Sequence, residues 1–114
     1  MIAKAKLRYL RISPGKVNQV ARLIRGKSVS YSLALLSHLR KRPAHSLLKL
    51  LNSALSNARN LGQTFQDLDN IYVSRLVVNQ GPTLKRYRAA PFGRAVMIRK
   101  RTSHIELELD LRVK

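Results

Sequence analysis

Two stretches decide the fold: Ile71-Tyr72-Val73-Ser74-Arg75-Leu76-Val77-Val78 and Ile105-Glu106-Leu107-Glu108-Leu109-Asp110-Leu111. The first is rich in β-branched and aromatic residues, and the second alternates apolar and acidic residues without a break, so both read as strands. Between them, residues 79–104 hold seven cations (Lys85, Arg86, Arg88, Arg94, Arg99, Lys100, Arg101) and no acid. That segment has too few large apolar residues to build a core. It is too long for a tight turn and too basic for a buried connection. It is expected to be an extended β-arm that leaves the body of the protein and lies against a polyanion.

Working outward, residues 3–11 place Ala3, Ala5, Leu7 and Tyr9 on one face of a strand and Lys4, Lys6 and Arg8 on the other. Ser13-Pro14 starts a helix, with an N-cap oxygen before a proline at the first helical position. Val17, Val20, Ala21 and Ile24 form its apolar face, and Gly26 is suited to a left-handed end. A second helix, capped by Ser28 or Ser30, uses Val29, Leu33, Leu35, Leu36 and Leu39, and ends in Arg40-Lys41-Arg42. Pro43 opens a third, with the stripe Ala44, Leu47, Leu48, Leu51, Ala54, Leu55 and Ala58, ended by Gly62. The order is strand, three helices, strand, arm, strand. This predicts an α+β fold of three helices packed on a three-stranded antiparallel sheet, with a long protruding basic β-hairpin. Residues 1–114 read as one domain whose arm spans about 79–104. Glu106, Glu108 and Asp110 are expected to pair across the sheet with Lys4, Lys6 and Arg8.

The charge is lopsided: 23 Lys and Arg stand against 5 Asp and Glu in 114 residues, a net charge of +18. The first 66 residues contain no acid, so their helices cannot form the usual Glu–Lys pairs. Self-repulsion of this kind is relieved by an anionic partner. Nucleic acid comes first and an anionic membrane surface second. With no cysteine, disulfides and cysteine-bound zinc are excluded. The apolar runs fall short of the roughly 20 residues of a membrane span. The opening residues alternate like a strand and lack the apolar core of a signal peptide.

Catalysis is poorly supplied. His38, His45 and His104 sit on different predicted elements without metal-ligand spacing, and no glycine-rich phosphate loop is present. No cofactor, metal or catalytic residue is expected. The arm is the better candidate: arginine forks grip phosphates and stack on bases. Tyr87 and Phe92 stand ready either to stack on unpaired bases or to pack on each other. With eight or nine residues on each side of the tip, the ribbon should extend roughly 25–30 Å. Pro91 should break its pairing near the tip.

Five blocks in order carry a likeness. They are Arg11-Ile12-Ser13-Pro14-Gly15-Lys16-Val17 with Leu23-Ile24-Arg25-Gly26-Lys27; Ser53-Ala54-Leu55-Ser56-Asn57-Ala58; Gly81-Pro82-Thr83-Leu84-Lys85-Arg86; Gly93-Arg94-Ala95; and Lys100-Arg101-Thr102-Ser103-His104-Ile105. Together they resemble the large-subunit ribosomal protein twenty-two family over nearly the whole chain. The resemblance implies a cytoplasmic or organellar ribosome and a structural role in its large subunit. It implies one copy, bound to large-subunit ribosomal RNA and neighbouring ribosomal proteins. It implies a body near the outer mouth of the peptide exit tunnel and a tip, about Tyr87, Arg88, Ala89, Ala90, Pro91 and Phe92, lining the tunnel beside the nascent chain. The implied RNA-binding residues are Lys16, Arg25, Lys27, Lys85, Arg86, Arg88, Arg94, Arg99, Lys100, Arg101, Thr102, Ser103 and His104. The tip departs from the family's usual Pro-Arg-Ala-basic-Gly-Arg-Ala run, reading Ala89-Ala90-Pro91-Phe92-Gly93-Arg94-Ala95 here. An architectural DNA-binding protein with a basic arm in the minor groove is the alternative. A membrane binder would need an amphipathic helix left over from the core.

Overall fold

Alternating apolar residues on three strands need a cover, and three amphipathic helices supply it. A computed structural model describes residues 3–60, 70–89, 93 and 95–111. The elements run β1 (Ala3–Leu10), α1 (Pro14–Ile24), α2 (Val29–His38), α3 (Arg42–Asn60), β2 (Ile71–Gln80), β3 (Leu84–Ala89), β4 (Ala95–Lys100) and β5 (Ser103–Leu111). The expected end of the third helix at Gly62, and the connection after it, lie outside the described residues.

The sheet order is β1-β5-β2, antiparallel throughout, with the alternating acidic strand in the centre. Ile105, Leu107 and Leu109 of β5 are fully buried, as are Ile71 and Val73 of β2. They meet Val17, Val20 and Ile24 of α1 and Leu47 and Leu51 of α3 in one core. The α3 stripe is as expected, with Leu50 added to the buried side and Leu48 left half-buried. Each such leucine contributes roughly 1.5–3 kcal/mol by leaving water. Among the described residues no helix is long and apolar enough to cross a membrane.

The opposite face of the sheet is a charge ladder. Lys4 stands opposite Glu108 and Lys6 opposite Glu106, as the alternation predicts. Lys6 Nζ lies 3.6 Å from Glu106. On the other side a bulge at Ser74 brings Arg75 into register with Glu108, at 3.6 Å, a pair the sequence reading missed. Glu108 thus has cations on both flanks, and Glu106 has one on the β1 side only. Arg8 departs from the expectation: the register of β1 shifts between Leu7 and Leu10, and Arg8 has no partner position on β5. The same shift overturns the inward placement of Tyr9, which takes a φ of 59° and is 63% exposed.

Of four local expectations at the helix ends, two hold, at Ser28 and Gly26, and two change. Ser13 precedes α1, but its side chain makes no capping bond. Ser28 caps α2, accepting from the Tyr31 N–H at 3.3 Å. Arg40-Lys41-Arg42 does not end α2, which stops at His38 with Leu39 extended; Arg42 begins α3. Gly26 adopts a φ of 77°, yet its N–H goes to Val73 O at 3.0 Å, while Val73 N–H returns to Lys27 O at 3.0 Å. The turn after α1 thereby covers the outer edge of β2, a bare edge being open to mispairing.

The arm forms a separate two-stranded sheet, β3 with β4. Among the described residues it builds no layer against the helices. Its ladder runs six pairs, from Leu84 opposite Lys100 to Ala89 opposite Ala95. The paired part spans roughly 20 Å, since Gly81 to Thr83 belong to no strand. The radius of gyration, 17.2 Å, exceeds the roughly 13 Å of a compact chain of this length, as a protruding ribbon requires.

Candidate nucleic-acid interface

The site begins where the arm leaves the body. Gly81 N–H donates to Thr102 O at 2.9 Å, and the Thr102 hydroxyl donates to Pro82 O at 2.6 Å, so the two limbs of the root are tied twice. A Cβ on Gly81 would meet Thr102 Oγ1 at 2.5 Å and the His104 ring at 3.1 Å, which is why glycine stands here. The Ser103 hydroxyl donates to Ile12 O, locking the root to the turn before α1. Tyr9 N–H donates to His104 Nδ1 at 3.1 Å.

Three of the residues expected to contact RNA belong to this root. Thr102 is 4% exposed and Ser103 fully buried. Their hydroxyl protons are committed inside the chain, to Pro82 O and Ile12 O. The signal was present: counting back by twos from Leu109, Leu107 and Ile105 puts Ser103 on the buried face. His104 is half-buried between Tyr9 and Gly81.

Beside this root lies an open cleft of about 840 Å³. Three separate segments wall it. The turn into α1 supplies Arg11 and Lys16, the junction of α2 and α3 supplies Lys41 and Arg42, and the end of the arm supplies Lys100 and Arg101. Six cations face one space with no acid among the lining residues. All six are exposed. The ion pairs Lys6–Glu106 and Arg75–Glu108 lie on the sheet face, away from the cleft, whose cations suit an external anion. Phosphates spaced along a backbone suit such a row, and each one neutralised releases counterions.

Of the expected contacts, Lys16, Lys100 and Arg101 are thus brought together. Arg11, Lys41 and Arg42 were missed, although the run Arg40-Lys41-Arg42 flagged the place; it was read as a helix end. Arg25 and Lys27 sit at the far end of α1, roughly 15 Å along its axis. Arg25 Nε donates to Leu76 O at 2.9 Å and Nη2 to Asn18 Oδ1 at 3.4 Å, which aims the exposed guanidinium. Lys27 Nζ stands 5.9 Å from the centre of the Tyr31 ring. In the arm, Lys85 is exposed and its position lies directly opposite Arg99. Like charges in opposed positions disfavour a ribbon in water, and an anion against it reverses that. Arg86, Tyr87, Arg88 and Ala89 are placed in β3 as backbone positions. Ala90, Pro91, Phe92 and Arg94 lie outside the described residues.

Comparison with known proteins accords with this geometry. Residues 5–110 match the profile of the family described as ribosomal protein L22p/L17e. The large ribosomal subunit protein uL22 of Halothermothrix orenii is 46% identical over 107 residues, 94% of this chain and 93% of its own. That of Mycoplasma capricolum is 51% identical over 105 residues, 92% of this chain and 93% of its own. That of Mesoplasma florum is 50% identical over 107 residues, 94% of each.

Proposed function

The chain belongs to the ribosomal protein L22p/L17e family, and from that premise we propose that it binds large-subunit ribosomal RNA through the cationic cleft and the arm together. It is a structural constituent of the large ribosomal subunit. The observation that carries the RNA reading is the acid-free cleft of six cations at the root of an arm that builds no layer against the helices. Phosphate contacts in the cleft position the body, and the shape of the arm selects the RNA cavity it enters. The whole chain acts as one domain and one copy, without catalysis. Its neighbours are other ribosomal proteins. Its tip, about Tyr87 to Phe92, lines the peptide exit tunnel and faces the nascent chain in transit. The family favours this reading over the DNA-binding alternative, and each helix has a buried face against the core, which speaks against a membrane-binding helix.

The test is crosslinking in cells from a photoreactive amino acid placed at Arg86 or Arg94, followed by sequencing of the attached nucleic acid. Large-subunit ribosomal RNA is expected from both positions. Recovery of genomic DNA, or of RNA without ribosomal enrichment, would contradict the reading.

A further inference from the structure

Tyr9 is the most exposed large hydrophobic side chain among the described residues, at 63%. Its backbone is in the left-handed region, with φ 59°, where a bulky residue is held only if its surroundings insist. They do so twice. The N–H of Tyr9 donates to His104 Nδ1 at 3.1 Å, and its ring meets the same imidazole edge to face, with centroids 4.9 Å apart and planes at 89°. His104 in turn lies against Gly81. The register shift in β1 therefore takes an aromatic ring that the alternation assigns to the core and props it in solvent instead.

The surroundings say what suits it. Arg8 and Arg11 flank Tyr9 in sequence, both exposed. Arg11 lines the cationic cleft, and so does Arg101, three residues before His104. The acid of β5 nearest in sequence to His104, Glu106, is paired with Lys6. An exposed aromatic face two residues from an arginine that lines the cleft fits a nucleobase, whose π-face stacks while its phosphates meet the arginines. We propose that Tyr9, propped on His104, is a stacking platform for an unpaired base of the RNA bound in the cleft. The strained backbone and the histidine prop keep the ring from folding back onto the sheet, so the platform is ordered before the RNA arrives.

This platform rests on the RNA-binding reading, and the experiment separates the two. The full chain, labelled with carbon-13 on its tyrosine rings, is titrated with a dodecamer of adenylate and with an abasic ribose-phosphate dodecamer of the same charge. Tyr9 signals are assigned from Tyr9→Phe. The Tyr9 ring protons are expected to move upfield with the adenylate strand and to stay put with the abasic one. Tyr9→Leu should weaken adenylate binding about 5- to 150-fold and leave abasic binding unchanged, while Tyr9→Phe retains full affinity. Because the ring is outside the core, both variants should melt like the parent. A Tyr9 ring unmoved by adenylate, with Tyr9→Leu binding as the parent does, overturns the platform while the RNA reading stands. Failure of both strands to bind overturns the two together. Parent-like adenylate binding by Tyr9→Leu, with weakened retention in purified large subunits, also overturns it and assigns the ring to a protein neighbour.

Discussion

Gly81 shows how one missing Cβ shapes the site. The space that a side chain would need is held by the Thr102 hydroxyl and the His104 ring. Gly81→Ala is expected to destabilise the protein by about 1–3 kcal/mol through overpacking, measured by urea denaturation. Combined with Thr102→Ala, which removes the nearer obstacle, the loss should be smaller than the sum of the two single losses. Additive losses would show that the two residues do not compete for space. At this scale much was hidden in the sequence. Ser103 and Thr102 looked like polar contacts at the exit of a basic arm; the alternation of β5 marks Ser103 as facing the core, but only the structure shows the groups they bond, Ile12 O and Pro82 O. Those partners are 91 and 20 residues away in the chain, beyond the reach of any local pattern. Tyr9 was read as inward because strict alternation was carried one step past a register shift that no turn residue announces.

Among the elements, β5 is the organiser. It pairs with both other strands of its sheet, buries Ile105, Leu107 and Leu109, and sets Glu108 between cations of β1 and β2. Glu108 has Lys4 in register on one side and Arg75 at 3.6 Å on the other. Glu108→Lys therefore places like charges on both flanks. It should cost about 0.5–2 kcal/mol, from roughly 0.2–1 kcal/mol per opposed pair, whereas Glu106→Lys, with Lys6 on one side and Val77 on the other, should cost about half. Thermal unfolding at low salt measures the difference, and high salt should shrink it. The helices were legible because their apolar stripes repeat at helical spacing. Their junctions were not, since Arg42 joins α3 rather than α2. The arm is an element apart: β3 and β4 pair with each other. Replacing residues 84–100 with a short turn should change body stability by no more than about 0.5 kcal/mol, while RNA affinity falls steeply. A large drop in the unfolding midpoint would mean that the arm supports the core.

For the whole molecule, the partition of charge carries the function. The five acids sit at Asp67, Asp69 and on β5, leaving the helix layer, the cleft and the arm purely cationic. The sheet face is balanced by its own ion pairs and the remainder is balanced by a partner. If the six cleft cations each neutralise a phosphate, the log–log salt slope of RNA affinity should be at least about −4 to −5 in steepness. Arg11→Ala together with Arg42→Ala should flatten it by about 1.5–2. Filter binding of ribosomal RNA across a salt series reads both. An unchanged slope in the double variant would remove the cleft from the interface.

From residue order alone come the α+β class, the central alternating strand, the three buried helix faces and the existence of a basic arm. Each is written in short-range periodicity or in composition, which fold locally or act through net charge. What only the tertiary structure decided is which cations share a space and which polar groups turn inward. Arg11, Lys41 and Lys100 belong to three distant segments, and their meeting depends on how the helices dock against the sheet. Long-range packing, unlike periodicity, leaves no repeating mark on the chain.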